Sequence, residues 1–199
     1  ATLTPSADLD AWIADAPDST LFVVDEAYHE YVRAPGYRSA EHWVAKRPNV
    51  VVTRTFSKIY GMAGLRLGYA LAHRDTAARL AAYMASDNAN IMALVAARAS
   101  LEDTGLTERA RLSNQRAKKV VLDCLGELGL EALPSHANFL MHEIGGEVRP
   151  YIERMRERGI RVGRPFPPME RYNRLSLGLP EEMERWAEAL RDFRRRGWV

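Results

Sequence analysis

The stretch VVTRTFSKIYGMAGLRLGYA, residues 51–70, contains Lys58, one of only four lysines in a chain of 199 residues. An apolar, β-branched run opens the stretch and predicts a buried strand, and LRLGYALA near its end predicts another strand. Between the two runs lie Thr55, Ser57 and Lys58, followed by Arg66 in a segment rich in glycine. The sequence therefore predicts a polar loop at one end of a β-sheet.

A second set of polar side chains follows the earlier run TLFVVDEAY. Its apolar part, residues 21–24, is short and β-branched, and it predicts a buried strand of the parallel type. Ligands of α/β sheets bind beyond the carboxyl ends of the strands. We therefore expect Asp25 to project into that crevice and Tyr28 to reach the same ligand.

Two other interpretations of Asp25 and Tyr28 stay open at this point. Asp25 could cap the following turn while Tyr28 packs against its neighbours. Apolar residues followed by Asp-Glu also end the Walker B strand of NTPases, although the chain has no Gly-x4-Gly-Lys-[Ser/Thr] loop to accompany it.

The chemistry of the Lys58 segment suggests a cofactor, although most lysines are solvated charges. An amine in a partly desolvated crevice has a lowered pKa and can form a Schiff base with an aldehyde. The hydroxyls of Thr55 and Ser57, with the guanidinium of Arg66, suit a phosphate dianion. An aldehyde, a phosphate and a pyridine nitrogen that needs an acidic partner such as Asp25 occur together in pyridoxal 5'-phosphate (PLP).

Helical and strand patterns alternate along the rest of the chain. Ser6 or Asp8 is expected to cap a first helix, and Asn88 or Asn90 a later one that ends near Glu102. Further helices are expected over residues 75–86, over a segment from Thr107 to a stop at Gly129, over VRPYIERMRERG, and from Pro180 onward. Later strands are expected at HANFLMHEI, IRVG and RLSLG.

DEAY, then TFSK with its lysine 33 residues after Asp25, then GMAGLRLGY, together resemble the fold-type I PLP-dependent aminotransferases. Within them the chain is most similar to the histidinol-phosphate aminotransferase branch, and SHANFLMHE and NRLSLGLPEEMER continue the similarity in order. The resemblance implies an α/β fold in which residues 1–75 form part of the PLP-binding large domain, a mostly parallel sheet with helices. Residues 76–110 would be connecting helices, and residues 111–199 a small C-terminal α/β domain.

The resemblance also implies roles for single residues. Asp25 would pair with the pyridine nitrogen, Tyr28 would hydrogen-bond the phenolic oxygen of PLP, and Lys58 would form the covalent link. The cofactor phosphate would be bound by Thr55, Ser57 and Arg66.

For the substrate, the resemblance implies that Arg174 binds a carboxylate or phosphate and that Asn138 lies nearby. An ordinary surface arginine and a buried structural asparagine are the alternatives for these two residues. Arg164 is a weaker candidate, because GRPFPPMERYN is difficult to align with the family.

The implied reaction is transamination between an amino acid or a histidinol phosphate-like amine and a 2-oxo acid, 2-oxoglutarate. A decarboxylase or lyase on the same fold, and a non-catalytic aminotransferase-like effector domain of a regulator, are the alternatives. Family members form homodimers and are nearly twice as long, so we expect a dimer and an N-terminal half that is missing from this chain. Without it, the chain is expected to bind PLP poorly and to expose apolar sheet surface.

Composition excludes little else. The net charge is +2, with basic and acidic residues interleaved, so we expect no nucleic-acid partner. The single cysteine, Cys124, permits no intrachain disulfide and is expected to pack in the core. No run is long enough for a membrane span, no metal site is expected, and a cytoplasmic location is expected.

Overall fold

The computed structural model describes residues 2–199 and divides the chain into two compact units, Leu3–Glu108 and Arg109–Val199. The division lies between Glu108 and Arg109, and the helical segment after residue 75 belongs to the first unit.

The first unit is a three-stranded sheet with helices. Its strands are β1 (Phe22–Asp25), β2 (Val50–Thr55) and β3 (Gly68–Ala72). Its helices are α1 (Ser6–Asp15), α2 (Glu41–Val44), α3 (Arg74–Ala81) and α4 (Ile91–Glu102).

The strand order is β1-β2-β3. β1 and β2 are parallel, as the apolar runs predict, with Asp25 opposite Thr53. β3 is antiparallel to β2, with Thr55 opposite Gly68. The β2–β3 connection contains only a single 3-10 turn, and without a crossover helix the chain returns beside β2 in the opposite direction.

The faces of the sheet differ in burial. Val50, Val51 and Val52 of β2 are buried, as predicted for this strand. The prediction that residues 21–24 form a buried strand is wrong for one face, because burial alternates along β1 and leaves Val23 61% exposed. Leu21 just before it is 62% exposed. The expectation of exposed apolar sheet surface in this chain is therefore confirmed.

Two helix starts differ from the expected ones. Ser6 is the first residue of α1 and not its cap, because its hydroxyl instead donates a hydrogen bond to the carbonyl of Arg38 at 3.0 Å. His73 precedes α3 and its ring nitrogen accepts from the backbone N–H of Asp75. The predicted cap of α4 is confirmed, because the Asn90 side chain accepts from the N–H of Met92 at 2.8 Å.

The second unit packs helices on a two-stranded sheet. Its elements are α5 (Leu106–Leu128, which starts in the first unit), β4 (Phe139–Glu143), α6 (Val148–Glu157), β5 (Tyr172–Ser176) and α7 (Pro180–Arg195). β4 and β5 are antiparallel. Gly129, with a φ of 67°, follows α5 as the predicted stop, and Pro180 opens α7 as predicted.

The predicted strand IRVG is wrong. Residues 160–163 form no regular element. They are attached to β5 by two hydrogen bonds, one from the N–H of Gly163 to the carbonyl of Arg174 and one from the Asn173 side chain to the carbonyl of Gly163. Cys124 is fully buried in the apolar cluster, as predicted. Among residues 2–199, no helix has both the length and the apolar character needed to cross a lipid bilayer.

Candidate functional site

The carboxyl ends of β1 and β2 lie side by side and carry the first candidate residues. Asp25 is the last residue of β1, and Thr55 is the last residue of β2. The N–H of Glu26 donates to the carbonyl of Thr53 at 2.9 Å, so the pairing continues one residue past β1. The Asp25 carboxylate accepts from the N–H of Ala27 at 3.0 Å, which fixes the turn after the strand.

The loop that follows β2 holds Lys58 on a well-anchored backbone. Phe56 and Ile59, on either side of it, are buried. The N–H of Phe56 donates to the carbonyl of Leu67 at 3.1 Å, and the N–H of Gly61 donates to the carbonyl of Lys58 at 3.0 Å. The loop is thus closed at its base, and the backbone of Lys58 is fixed from both sides.

The Lys58 amine lies over an aromatic ring. Its Nζ atom is 5.2 Å from the centroid of the Tyr28 ring. At this distance the ring face attracts the positive charge of the ammonium group. The structure therefore brings together Lys58 and Tyr28, which are 30 residues apart in the sequence.

Thr55, Ser57 and Arg66 are also brought together. The N–H of Ser57 donates to the Thr55 hydroxyl oxygen at 3.0 Å, and that hydroxyl donates to the carbonyl of Leu67 at 3.3 Å. A guanidinium nitrogen of Arg66 lies 3.4 Å from the Ser57 hydroxyl. Hydroxyl and guanidinium groups at this spacing can donate together to an oxyanion.

The backbone of Arg66 has an uncommon conformation. Its φ of 56° lies in the left-handed region, where residues other than glycine are rare and strain tends to accompany function. The same guanidinium nitrogen donates to the carbonyl of Ala63 at 2.8 Å, which holds the side chain near Ser57. The sequence pattern gives no signal of this strained conformation.

The strand ends carry a second polar group that sequence reasoning missed. The carboxylate of Glu26, which is 6% exposed, accepts from Arg54 Nε at 3.1 Å and Nη2 at 3.0 Å. It also accepts from the Ser39 hydroxyl and from the N–H of Ala40, each at 2.8 Å. The available signal in the sequence was that Glu26 and Arg54, of opposite charge, each follow an apolar run that predicts a strand.

Arg54 makes further bonds from the same guanidinium. Its Nη2 atom donates to Glu41 Oε2 at 2.6 Å and to the Ser39 hydroxyl at 2.8 Å, and its side chain is hydrogen-bonded to Tyr69. Burial lowers the pKa of Arg54, but the hydrogen bonds to Glu26, Tyr69 and Glu41 outweigh that effect and raise it. The guanidinium is therefore positively charged at any pH at which the protein is folded.

Several titratable groups lie near this ion pair. Burial lowers the pKa of His29, and the charge of Arg54 lowers it further. Burial raises the pKa of Tyr31 and that of Tyr37, each to about 12. Both phenols therefore remain protonated at neutral pH.

The candidate substrate residues belong to the second unit. The Arg174 guanidinium lies over the Phe139 ring, 3.9 Å from its centroid, and its Nε atom is buried without a hydrogen-bond partner. The carbonyl of Asn138 accepts from the N–H of Leu177 at 2.9 Å. Arg164 donates to the carbonyl of Pro165 and stacks on Phe166.

The α/β architecture and the lysine loop agree with comparisons to known proteins. The model of the aminotransferase class I and II family matches residues 2–190, so the chain belongs to that family.

Histidinol-phosphate aminotransferases are among the curated relatives that the chain matches along most of its length. The chain is 37% identical to histidinol-phosphate aminotransferase 1 of Nitrosococcus oceani, with 93% of this chain and 50% of that protein covered. It is 39% identical to the histidinol-phosphate aminotransferase of Symbiobacterium thermophilum, with 96% of this chain and 52% of that protein covered. The chain spans about half the length of the curated relatives it matches.

A solved structure shares the fold. The histidinol-phosphate aminotransferase of Sinorhizobium meliloti, crystallised in complex with pyridoxal-5'-phosphate, superposes with a TM-score of 0.88 at 29% identity. The match covers 98% of this chain and 54% of that one.

Proposed function

We propose that this chain is part of a PLP-dependent aminotransferase that moves an amino group between a histidinol phosphate-like amine and a 2-oxo acid, 2-oxoglutarate. The observation that carries the proposal is the position of Lys58. Its amine lies over Tyr28 in the loop after β2, beside the strand end of Asp25 and the polar group of Thr55, Ser57 and Arg66.

The donor set fits the cofactor. Arg66 and Ser57 offer a guanidinium and a hydroxyl for a phosphate, and the Thr55 hydroxyl would join them by turning its hydrogen away from the carbonyl of Leu67. Asp25 offers a carboxylate for a pyridine nitrogen, and Lys58 offers a primary amine for an aldehyde. When bound, PLP supplies an electron sink for the carbanion that forms as the Cα proton of the amine substrate leaves.

The residues of the chain would divide the remaining tasks. Lys58 would take the Cα proton of the amine substrate and deliver a proton to the C4' carbon of PLP, because its amine is the base that this loop offers. Asp25 would hold a proton on the ring nitrogen with its carboxylate. Tyr28 would donate a hydrogen bond from its hydroxyl to the phenolic oxygen of PLP, and the face of its ring attracts the charge of the Lys58 amine.

We assign Leu3–Glu108 to the PLP-binding large domain and Arg109–Val199 to the small domain. In the second unit, Arg174 would bind the substrate carboxylate or phosphate through its guanidinium group, and Asn138 would lie near the substrate. The proposed partners are a second copy of the protein and an N-terminal half of the same enzyme. The match to about half the length of the relatives supports the second of these.

The first experiment is borohydride reduction of the whole protein that contains this chain, with PLP in excess, followed by peptide mass spectrometry. A phosphopyridoxyl group is expected on the peptide that contains Lys58. Lys46 in the same unit is the internal control, since its amine also lies near an aromatic ring, 5.7 Å from that of Trp43, whereas the residue itself is exposed. Labelling of Lys46 and Lys58 alike, or of neither, would overturn the assignment of the cofactor to Lys58.

Substrate profiling tests the reaction. Histidinol phosphate with 2-oxoglutarate is expected to give glutamate, and aromatic amino acids are the rival donors. With an amino acid as the substrate, carbon dioxide release without glutamate would instead establish a decarboxylase.

A further inference from the structure

The ion pair of Glu26 and Arg54 lies behind the candidate site, on the other face of the sheet. Side chains alternate along a strand, so Glu26 points away from the face of Asp25, and Arg54 points away from the face of Thr55. The parallel register pairs Asp25 with Thr53, which brings Glu26 and Arg54 together on one face. Each member of the pair is thus the direct neighbour of a candidate cofactor residue.

The pair joins four segments of the first unit. Glu26 extends β1, Arg54 belongs to β2, Ser39 and Ala40 precede α2, and Tyr69 belongs to β3. A buried carboxylate is stable only when its oxygens are paired, and here both oxygens of Glu26 accept hydrogen bonds. The spacing of the two strand ends is therefore fixed by charge-assisted bonds.

The third strand also approaches closely at this point. A β-carbon added to Gly68 would lie 2.9 Å from the carbonyl oxygen of Arg54, so only glycine permits this contact. The backbone of Arg54 is thus held from β3 while its side chain is held from β1 and α2.

We propose that Glu26 and Arg54 are positioning residues, which set the distance between the Asp25 carboxylate and the loop that carries Lys58. This inference rests on the proposed function, because PLP is the ligand that would contact both the Asp25 carboxylate and the Lys58 amine. A misplacement of about 1 Å in such a site can cost about 100-fold in activity.

The test compares Glu26→Gln with Glu127→Gln. Glu127 is a matched control, because it also accepts from the Nε and Nη2 atoms of one arginine, Arg191, but lies on α5 in the second unit. In the whole protein, Glu26→Gln is expected to weaken PLP binding about ten-fold or more, as measured by titration of the visible absorbance at a temperature where the variant is folded. Glu127→Gln is expected to leave the PLP affinity unchanged.

A second readout needs no cofactor. Hydrogen exchange in the PLP-free protein monitors the N–H of Ala27, bonded to Asp25, and the N–H of Ser57, bonded to Thr55. Glu26→Gln is expected to speed exchange at these two sites by about ten-fold while the amides of α4 exchange as before. A uniform rise across the unit would mean a general loss of stability, and it would overturn the positioning role.

The outcomes separate this inference from the proposed function. Unaltered protein that takes up no PLP refutes the function, and the exchange of Ala27 and Ser57 still decides the positioning role. If the unaltered protein and the Glu26→Gln variant bind PLP with equal affinity, the positioning role alone is refuted. If Glu26→Gln does not fold, Arg54→Lys replaces it, because it keeps the charge and loses the paired geometry of the guanidinium.

Discussion

The two compact units differ in how completely each buries its own sheet. In Arg109–Val199, the sheet of β4 and β5 packs on a closed apolar cluster in which Trp186 and Tyr151 are fully buried. In Leu3–Glu108, β2 is buried while one face of β1 leaves Val23 exposed. The second unit therefore covers its sheet with apolar side chains of its own. The first unit has a polar site at its strand ends and leaves one apolar face uncovered.

The largest expected effect comes from breaking the closed core of the second unit. Trp186→Ala removes the largest fully buried side chain and the hydrogen bond from its Nε1 atom to the Tyr151 hydroxyl at 3.0 Å. Such a change should lower the free energy of unfolding by about 3–5 kcal/mol, as measured by urea denaturation. Trp12→Ala is the control, because Trp12 is 58% exposed in the first unit, and its effect should be about 0.5 kcal/mol.

A smaller effect should follow from pH at a histidine in the same core. His142 is fully buried between the rings of Tyr151 and Trp186, and burial lowers its pKa to about 4. Its Nδ1 atom bonds the carbonyl of Glu143 at 2.8 Å, while Nε2 has no partner. The fold thus favours the neutral ring.

The sign of the pH effect follows from this lowered pKa. Between about pH 4 and 6.5 the unfolded chain binds more protons at His142 than the folded chain does, so stability rises with pH across this window. The contribution is complete above pH 6.5 and is lost as the pH falls toward 4. It amounts to at most about 3 kcal/mol. His142→Phe should flatten this part of the stability curve, whereas His73→Gln should retain the slope; an unchanged slope in His142→Phe would contradict the assignment.

Much of this arrangement was predictable from sequence patterns. The apolar runs predicted β1 and β2 and their parallel pairing, and Asn90 predicted the start of α4, because these features depend on neighbours in the sequence. The polar loop of Lys58 was predictable for the same reason, since it follows directly from the end of a strand.

Other features depend on contacts with distant segments of the chain. The IRVG segment has the composition of a strand, but it makes only one backbone hydrogen bond to β5. The ion pair of Glu26 and Arg54 requires Ser39 and Ala40, which nothing near either charge in the sequence indicates. The expected exposure of apolar sheet surface could not be assigned to Val23, because an apolar run shows that a strand can be buried, not which face is covered.

The smallest expected effect sharpens the contrast between the two faces of the first sheet. Val23→Thr and Val52→Thr make the same change of a methyl group to a hydroxyl, on an exposed and on a fully buried strand position. A buried hydroxyl without a partner costs about 1–3 kcal/mol, whereas Val23→Thr should change stability by about 0.5 kcal/mol or less. Urea denaturation of the 199-residue chain measures both. If Val23→Thr costs as much as Val52→Thr, the outer face of β1 is covered in solution, and the apolar surface seen here is an interface with another copy of the chain.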